Sequence, residues 1–183
     1  MDKFNVIIIL SVALVTAILI IIIQAKMIRH LTPKYRIKRV RDSHRGKFSI
    51  LARKGRESLS IVDGLDGVQF EKICCQMLYE IGFKNVRMTA TTGDYGVDIL
   101  ADKDGKTYAI QCKCYSKPIG VDAVQQAYSG CAFYRADVPV VLTNRGFTDN
   151  AQYLAKVIGV TLWNRNFIQK VFEDAHKRAG RKR

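Results

Sequence analysis

A run of 18 uncharged and mostly apolar residues near the start of the chain, residues 6–23, constrains its folding more than any other feature. A helix needs about 20 apolar residues to cross the hydrocarbon core of a bilayer, so this run predicts one transmembrane helix. A cleaved signal peptide is the alternative, but its apolar region is shorter, about 7–15 residues, and ends in small residues. Here Gln24-Ala25-Lys26 forms a poor cleavage site, which favours an uncleaved anchor.

The basic residues on the two sides of this run are unequal in number. Residues 24–56 contain twelve Lys and Arg against one acidic residue, whereas Lys3 is the only Lys or Arg before the run. The positive-inside rule therefore places the amino terminus outside and everything after residue 24 in the cytoplasm. The basic segment can hold anionic lipid headgroups, and it can also contact a phosphate backbone, so both interpretations stay open.

The remainder of the chain is nearly balanced in charge and apolar enough to fold as one domain. Residues 63–164 contain ten Lys and Arg against eleven Asp and Glu, while residues 165–183 carry a net charge of +5. The five cysteines lack the spacing of a small secreted scaffold, which favours free thiols in a reducing compartment. A zinc site at Cys112 and Cys114 is less favoured because two ligands fall short of the usual four.

Hydrophobic periodicity predicts an alternation of helices and strands over residues 63–176. Helices are predicted at 68–81, 121–134, 149–157 and 167–176, and strands at 86–90, 97–101, 107–114, 138–142 and 160–163. Residues 31–62 lack sustained periodicity and contain Pro33, Gly46 and Gly55, so we interpret them as a linker. The order of elements predicts an α/β fold in which helices flank a mixed β-sheet, preceded by one transmembrane helix.

Three polar side chains interrupt two neighbouring apolar strands of this prediction. A hairpin closed near residues 102–106 brings Asp98 alongside residues 109–111, and alternation puts Gln111 and Lys113 on one face. Carboxylate and amide oxygens are ligands for a hard cation such as Mg²⁺, and a nearby lysine can orient water or stabilise charge on a phosphate. The set therefore suits metal-assisted phosphodiester hydrolysis. A buried Asp98–Lys113 ion pair with Gln111 as a bystander is the alternative from these residues alone.

An ordered series of motifs around these side chains resembles one nuclease family. Asp98 followed by Gln111-Cys112-Lys113 is similar to the D…(D/E/Q)xK signature of the PD-(D/E)xK nucleases. The wider series resembles the Mrr-type restriction endonucleases over about residues 65–172. It comprises Phe70-Glu71, Gly82-Phe83, Gly93-Asp94-Tyr95-Gly96-Val97-Asp98, Ile110-Gln111-Cys112-Lys113, Thr143-Asn144-Arg145-Gly146-Phe147-Thr148 and Gly159-Val160-Thr161-Leu162-Trp163.

The resemblance implies a restriction-endonuclease-like mixed sheet and Mg²⁺-dependent cleavage of DNA. Asp98 would be the principal metal ligand, Gln111 would occupy the second acidic position, and Lys113 would be the catalytic lysine. A glutamine at the second position removes one negative charge from the metal shell, which makes a further carboxylate useful. Glu71 is the candidate because family members carry a glutamate in that helix. The alternative is a solvated helix residue paired with a neighbouring lysine.

Five further residues are candidates for contact with DNA. Gln125 and Gln126 follow the lysine strand on a helix where related nucleases place a glutamine near the metal or the phosphate, although exposed helix polarity explains them equally well. Asn144, Arg145 and Thr148 lie between a strand and a helix. That position suits a phosphate, and a capped turn is the alternative.

These predictions combine into one account of the chain. Residues 1–25 are a membrane anchor, 26–62 a basic cytoplasmic linker, 63–176 an Mrr-like nuclease domain and 177–183 a basic tail. We expect a single-pass endonuclease of a bacterial inner membrane, active in restriction or defence. Its expected partners are DNA, membrane lipid and Mg²⁺ or another divalent cation, without an organic cofactor, and cleavage of both strands would require a homodimer. The alternative is a catalytically inactive membrane-tethered protein that binds nucleic acid or a partner with the same fold.

Overall fold

The computed structural model describes residues 14–24, 38–39, 48, 51, 54, 58–89 and 95–180. The chain divides into two compact units, Met1–Tyr35 and Arg36–Arg183. In the first unit residues 14–24 are helical, and residues 6–13 of the predicted transmembrane helix lie outside the described part. Across all the residues described, no helix has both the length and the apolar character that crossing a bilayer requires. The predicted anchor at residues 6–23 lies only in part within the described residues and stays a prediction.

The second unit is built on a six-stranded sheet whose strands follow one another in chain order. The first four strands are antiparallel neighbours, and the last two continue the sheet in parallel with the fourth. The strands are β1 (Lys38–Arg39), β2 (Lys84–Met88), β3 (Ile99–Lys103), β4 (Lys106–Lys113), β5 (Val138–Thr143) and β6 (Thr161–Trp163). The predicted mixed sheet is confirmed. The strand β1 was not predicted from the sequence, because two residues are too few to show an alternating pattern.

Helices cover both faces of this sheet, as the alternating apolar pattern requires. They are α1 (Ser58–Asp63), α2 (Gly67–Glu80), α3 (Val121–Tyr134), α4 (Asp149–Ile158) and α5 (Arg165–Gly180). On one face Phe70 of α2 and Phe172 of α5 belong to a core cluster with Ile110 of β4. On the other face Val124 of α3 and Ala151 of α4 belong to a second cluster. The strands β3 and β4 are thus buried between two helical layers.

Local sequence signals explain where several of these elements begin and end. The side chain of Asp66 caps α2 by accepting a hydrogen bond from the Gln69 amide at 2.7 Å. Asp104 and Gly105 turn β3 into β4 with φ values of 52° and 75°. Two successive residues in the left-handed region form the tight turn that Asp-Gly favours in a hairpin. Because the turn is this short, β3 continues to Lys103, two residues beyond the predicted strand end at residue 101.

Part of the segment predicted as a linker contributes to the core. Phe48, Leu51, Leu59 and Val62 are buried in the cluster that contains Phe172, whose ring stacks on that of Phe48 at 5.3 Å. Phe48 and Leu51 are helical positions three residues apart, as are Leu59 and Val62 of α1, so each pair falls on one side of a helix of about 3.6 residues per turn. Intervening serines and a glycine obscured this pattern in the sequence.

Candidate active site

The register of β3 and β4 brings the three polar side chains of the sequence signature together. Ile99 pairs with Ile110 across the two strands, and the Asp98 amide donates to the carbonyl of Ile110 at 2.9 Å. Asp98 therefore lies beside Gln111, as the hairpin prediction required. Lys113 is the last residue of β4, two positions further along the same face.

The carboxylate of Asp98 is held in a fixed orientation by β4. Its Oδ2 atom accepts one hydrogen bond from Gln111 Nε2 at 2.5 Å and one from the Cys112 amide at 2.7 Å. Gln111 is only 4% exposed, and its Oε1 atom is buried without a hydrogen-bond partner among the described residues. An unpaired buried carbonyl oxygen is costly, so this atom can accept a bond from a group that enters the cleft.

A cleft of about 480 Å³ opens over these side chains. Glu71 reaches it from α2 and Gln126 from α3, so the cleft lies between the two helical layers at the end of β4. Its walls are formed by Gly67, Glu71, Gly96, Asp98, Gln111, Cys112, Lys113, Cys114, Tyr115 and Gln126. The four residues predicted to be catalytic, at positions 71, 98, 111 and 113, thus converge on one cavity.

Two glycines allow α3 to approach the turn that precedes Asp98. A Cβ atom on Gly130 would lie 2.5 Å from the Tyr95 carbonyl oxygen and 2.5 Å from Val97 Cγ2. A Cβ atom on Gly96, which has a φ of +78°, would lie 2.7 Å from Gln126 Cβ. This contact between helix and turn brings Gln126 to the cleft wall.

Of the two neighbouring glutamines predicted to contact DNA, the structure brings one to the cleft. Gln126 forms part of its wall, whereas Gln125 is exposed on α3 and does not line it. Asp94, at the centre of the glycine-containing loop, lies outside the described residues.

Asn144, Arg145 and Thr148 do not line the cleft. Asn144 is 1% exposed and donates to Asp63 Oδ1 at 2.9 Å, and Arg145 forms an ion pair with the same oxygen at 2.9 Å. Thr148 caps α4 by accepting from the Ala151 amide. The capped-turn alternative therefore describes their contacts, and a role in binding DNA stays a prediction.

The carboxylate of Asp63 is the centre of this second polar group. Arg165 joins it at 2.7 Å, so that residues from α1, from the loop after β5 and from α5 share one oxygen. Burial by itself would raise the pKa of Asp63, but hydrogen bonds from Arg165, Asn144 and Arg145 outweigh it and lower the pKa below its ordinary value.

The cysteines in and near the cleft, Cys74, Cys75 and Cys112, are free thiols that belong to the apolar core cluster. Burial raises the pKa of the Cys112 thiol well above its ordinary value, and the neighbouring Cys74 thiol raises it further. Burial also raises the pKa of Cys75, with added contributions from Cys74 and from the charges of Glu71 and Asp98. Nowhere in the described residues do three or more His, Cys, Asp or Glu side chains form a group able to hold a metal.

Tyr115 is a cleft residue that sequence reasoning missed. It follows Lys113 by two positions and lines the same cavity. The alternation that placed Gln111 and Lys113 together would also have placed residue 115 near them, but the predicted strand ended at residue 114.

A mixed sheet whose central hairpin carries an aspartate, a glutamine and a lysine into one cleft has the arrangement of the restriction-endonuclease-like class. The sequence profile of a restriction endonuclease family, Mrr_cat, matches residues 62–172. The match covers more than half of the chain. The chain therefore belongs to this family of restriction endonucleases.

The individual relatives share only low sequence identity with this chain. An uncharacterized protein of Archaeoglobus fulgidus is 25% identical over 103 residues, which cover 52% of this chain and 59% of that protein. A crystal structure of a protein of unknown function is 20% identical, with a TM-score of 0.44, over 53% of this chain and 57% of that one. This chain thus spans less than two thirds of the length of each relative.

Proposed function

We propose that this protein is a DNA endonuclease that hydrolyses phosphodiester bonds with the help of Mg²⁺ or another divalent cation. The observation that supports the proposal most strongly is the convergence of Glu71, Asp98, Gln111 and Lys113 on one open cleft. A buried Asp98–Lys113 ion pair with no further role would not require a cavity or a carboxylate from α2. It would also not require a buried amide oxygen that lacks a partner among the described residues.

The donor atoms in the cleft fit a hard cation. Asp98 and Glu71 would hold the ion through carboxylate oxygens. Gln111 would hold it through Oε1, which has no hydrogen-bond partner in the part of the chain that the structure describes. The ion would supply Lewis-acid polarisation of a phosphoryl oxygen. Asp98 is prepared for this role because two hydrogen bonds from β4 fix its orientation.

Lys113 and Gln126 would act on the substrate itself. The ammonium group of Lys113, at the end of β4, can donate to a non-bridging phosphate oxygen and stabilise the charge that develops there. The amide of Gln126, from the opposite helix, can orient the phosphate or the attacking water. Water forms a bond to phosphorus as the bond from phosphorus to the leaving sugar oxygen breaks.

A plasmid-nicking assay with the full chain in Mg²⁺ tests the proposal. Nicking is expected for the wild type and is expected to be lost in Asp98→Asn and Lys113→Met, because each change removes a charge from the cleft. Matched controls are Asp104→Asn, in the hairpin turn, and Lys106→Met, at the other end of β4. Binding of DNA without nicking by the wild type in Mg²⁺ and in Mn²⁺ would favour a non-catalytic binding protein instead.

We further propose, from the sequence alone, that residues 6–23 attach the enzyme to a membrane, with the nuclease domain in the cytoplasm. Fractionation of expressing cells, followed by an alkaline carbonate wash, checks this proposal. The full chain should stay with the membrane pellet, and a chain lacking residues 1–25 should not. Release of the full chain by the wash would contradict membrane insertion.

Cleavage of both DNA strands at one position would require two copies of this site, and we propose a homodimer on DNA for that reaction. Analytical ultracentrifugation of the full chain with and without a duplex distinguishes a dimer from a monomer. A monomer that linearises plasmid in a single binding event would contradict the dimer.

A further inference from the structure

Tyr115 is an exposed aromatic side chain in a cleft that is otherwise lined by polar side chains, glycines and cysteines. It is 57% exposed, whereas its cleft neighbours Gln111 and Cys112 are 4% and 7% exposed. It lies two residues beyond Lys113, which would contact the phosphate in the proposed reaction, and both residues line the same cavity. A large ring kept in water at this point has no role in the core.

The backbone of Tyr115 is held by a buried polar group. Its amide donates to Asn144 Oδ1 at 2.9 Å, and Asn144 is itself 1% exposed and donates to Asp63 at 2.9 Å. Asp63 is fixed in turn by the guanidinium groups of Arg145 and Arg165. The chain therefore positions Tyr115 through its main chain and leaves the ring exposed.

Other exposed tyrosines either stack on another ring or lie outside the cleft. Tyr95 is 58% exposed, but its ring stacks on Phe133 at a centroid distance of 3.7 Å. Tyr153 on α4 is 73% exposed and is not a cleft residue. Within residues 58–89 and 95–180, the Tyr115 ring is the exposed tyrosine that lines the cleft and stacks on no other ring.

We propose that the Tyr115 ring is a stacking platform for an unpaired base next to the phosphate that is cleaved. This inference rests on the proposed endonuclease function and names its substrate class: single-stranded DNA, or duplex DNA with unpaired nucleotides at the cleavage position. Bases in an intact duplex already stack on one another, so the ring gains a contact only where a base is free. Stacking on an aromatic side chain accepts any base, because every base presents a π face.

Binding measurements on the full chain in Ca²⁺ test the platform separately from cleavage. The probes are a short single-stranded oligonucleotide that carries the fluorescent base 2-aminopurine and the duplex made from it. Tyr115→Ala should weaken single-strand binding roughly 5- to 150-fold and abolish the quenching of 2-aminopurine, given about 1–3 kcal/mol per stacked base. Duplex affinity should change by less than about twofold, because the remaining phosphate contacts are sequence-independent and unaltered.

Two matched variants complete the test. Tyr115→Phe keeps the ring and should bind both probes as the wild type does, and Tyr153→Ala removes an exposed tyrosine outside the cleft and should do the same. Wild-type affinity of Tyr115→Ala for the single strand would overturn the platform. An equal loss on both probes would also overturn it and would indicate a ring that wedges into duplex DNA.

The platform and the endonuclease function can fail independently. Lys113→Met should stop cleavage yet keep the Tyr115-dependent preference for single strands. Binding that depends on Tyr115 in a chain that never cleaves DNA would contradict the proposed function alone. Cleavage of single-stranded and duplex DNA at equal rates, unchanged in Tyr115→Ala, would contradict the platform alone.

Discussion

Gln111 is the residue whose chemistry departs most from a two-carboxylate metal site. Its Nε2 atom donates to Asp98, and its Oε1 atom is buried without a partner among the described residues. In the proposed site, one side chain would thus both fix the aspartate and supply a neutral ligand. The sequence showed that residue 111 shares a face with Lys113. It could not show which amide atom faces Asp98, because that depends on the register and the packing around it.

Gln111→Glu should lower the stability of the metal-free protein and strengthen its binding of a divalent cation. A carboxylate at this position cannot donate to Asp98 and repels it, so the free energy of unfolding in EDTA should fall by about 1–3 kcal/mol. Added Mg²⁺ should then raise the melting temperature more in the variant than in the wild type, because the site has gained a charge. Gln125→Glu, on the exposed side of α3, is the control. Equal Mg²⁺-induced shifts in Gln111→Glu and the wild type would contradict the metal-ligand role.

At the scale of elements, the contact between α3 and the turn before Asp98 determines where the aspartate lies. Gly130→Ala would place a methyl group 2.5 Å from a backbone oxygen. Although alanine is normally favoured over glycine inside a helix by up to about 1 kcal/mol, we expect this variant to lose about 1–3 kcal/mol through overpacking. Cleavage should fall with it because the turn leads directly into Asp98.

The control for this variant is Gly146→Ala, where an added Cβ would have no described atom within 4 Å apart from those of its chain neighbours. Thermal unfolding and nicking are the two measurements. Wild-type stability and activity of Gly130→Ala would show that the helix can shift without moving the aspartate.

The Asp63 group joins α1, α5 and the loop after β5, and its effect on stability depends on pH. Since the folded-state pKa of Asp63 is lowered, the carboxylate stabilises the fold in full above its unfolded pKa, about 3.9. This contribution is lost as the pH falls through the lower pKa of the folded state. Asp63→Asn should therefore cost about 1–3 kcal/mol at neutral pH, and its difference from wild type should shrink in acid.

Urea unfolding of both proteins across an acid pH series measures this difference. A constant difference at every pH would contradict the ionic role of Asp63. Measuring the affinity of Asp63→Asn for the single-stranded oligonucleotide would reveal whether the Asp63 group also positions Tyr115.

The prediction of elements from the sequence succeeded where periodicity and turn residues agreed. The helix predicted at 121–134 has those limits in the structure, and the hairpin was recognised from its Asp and Gly residues. The role of Asp63 could not be predicted, because its partners Asn144 and Arg165 lie 81 and 102 residues away in the chain. Contacts between residues so far apart in the chain depend on the completed fold, and no local sequence pattern predicts them.

At the scale of the whole molecule, the uneven distribution of charge predicts how binding to DNA responds to salt. The middle of the chain is nearly neutral, whereas residues 165–183 carry a net charge of +5. Lys170 and Lys177 are exposed on α5, one above the other along the helix. Replacing both with Gln should lower DNA affinity equally for every sequence.

The slope of log affinity against log salt measures this effect. It should become shallower by about 0.9 for each phosphate contact that the double variant loses. Lys106→Gln, in the nearly neutral middle of the chain, is the control. An unchanged slope in the double variant would show that α5 does not face the DNA.

The central claim is that Glu71, Asp98 and Gln111 together hold one divalent cation beside Lys113. Anomalous diffraction from crystals of the full chain grown with Mn²⁺ tests it most directly. We predict a single strong peak in the cleft, within ligand distance of Asp98 and of Gln111 Oε1, that disappears in Asp98→Asn. A cleft without a peak at saturating Mn²⁺, with these side chains ordered, would contradict the claim.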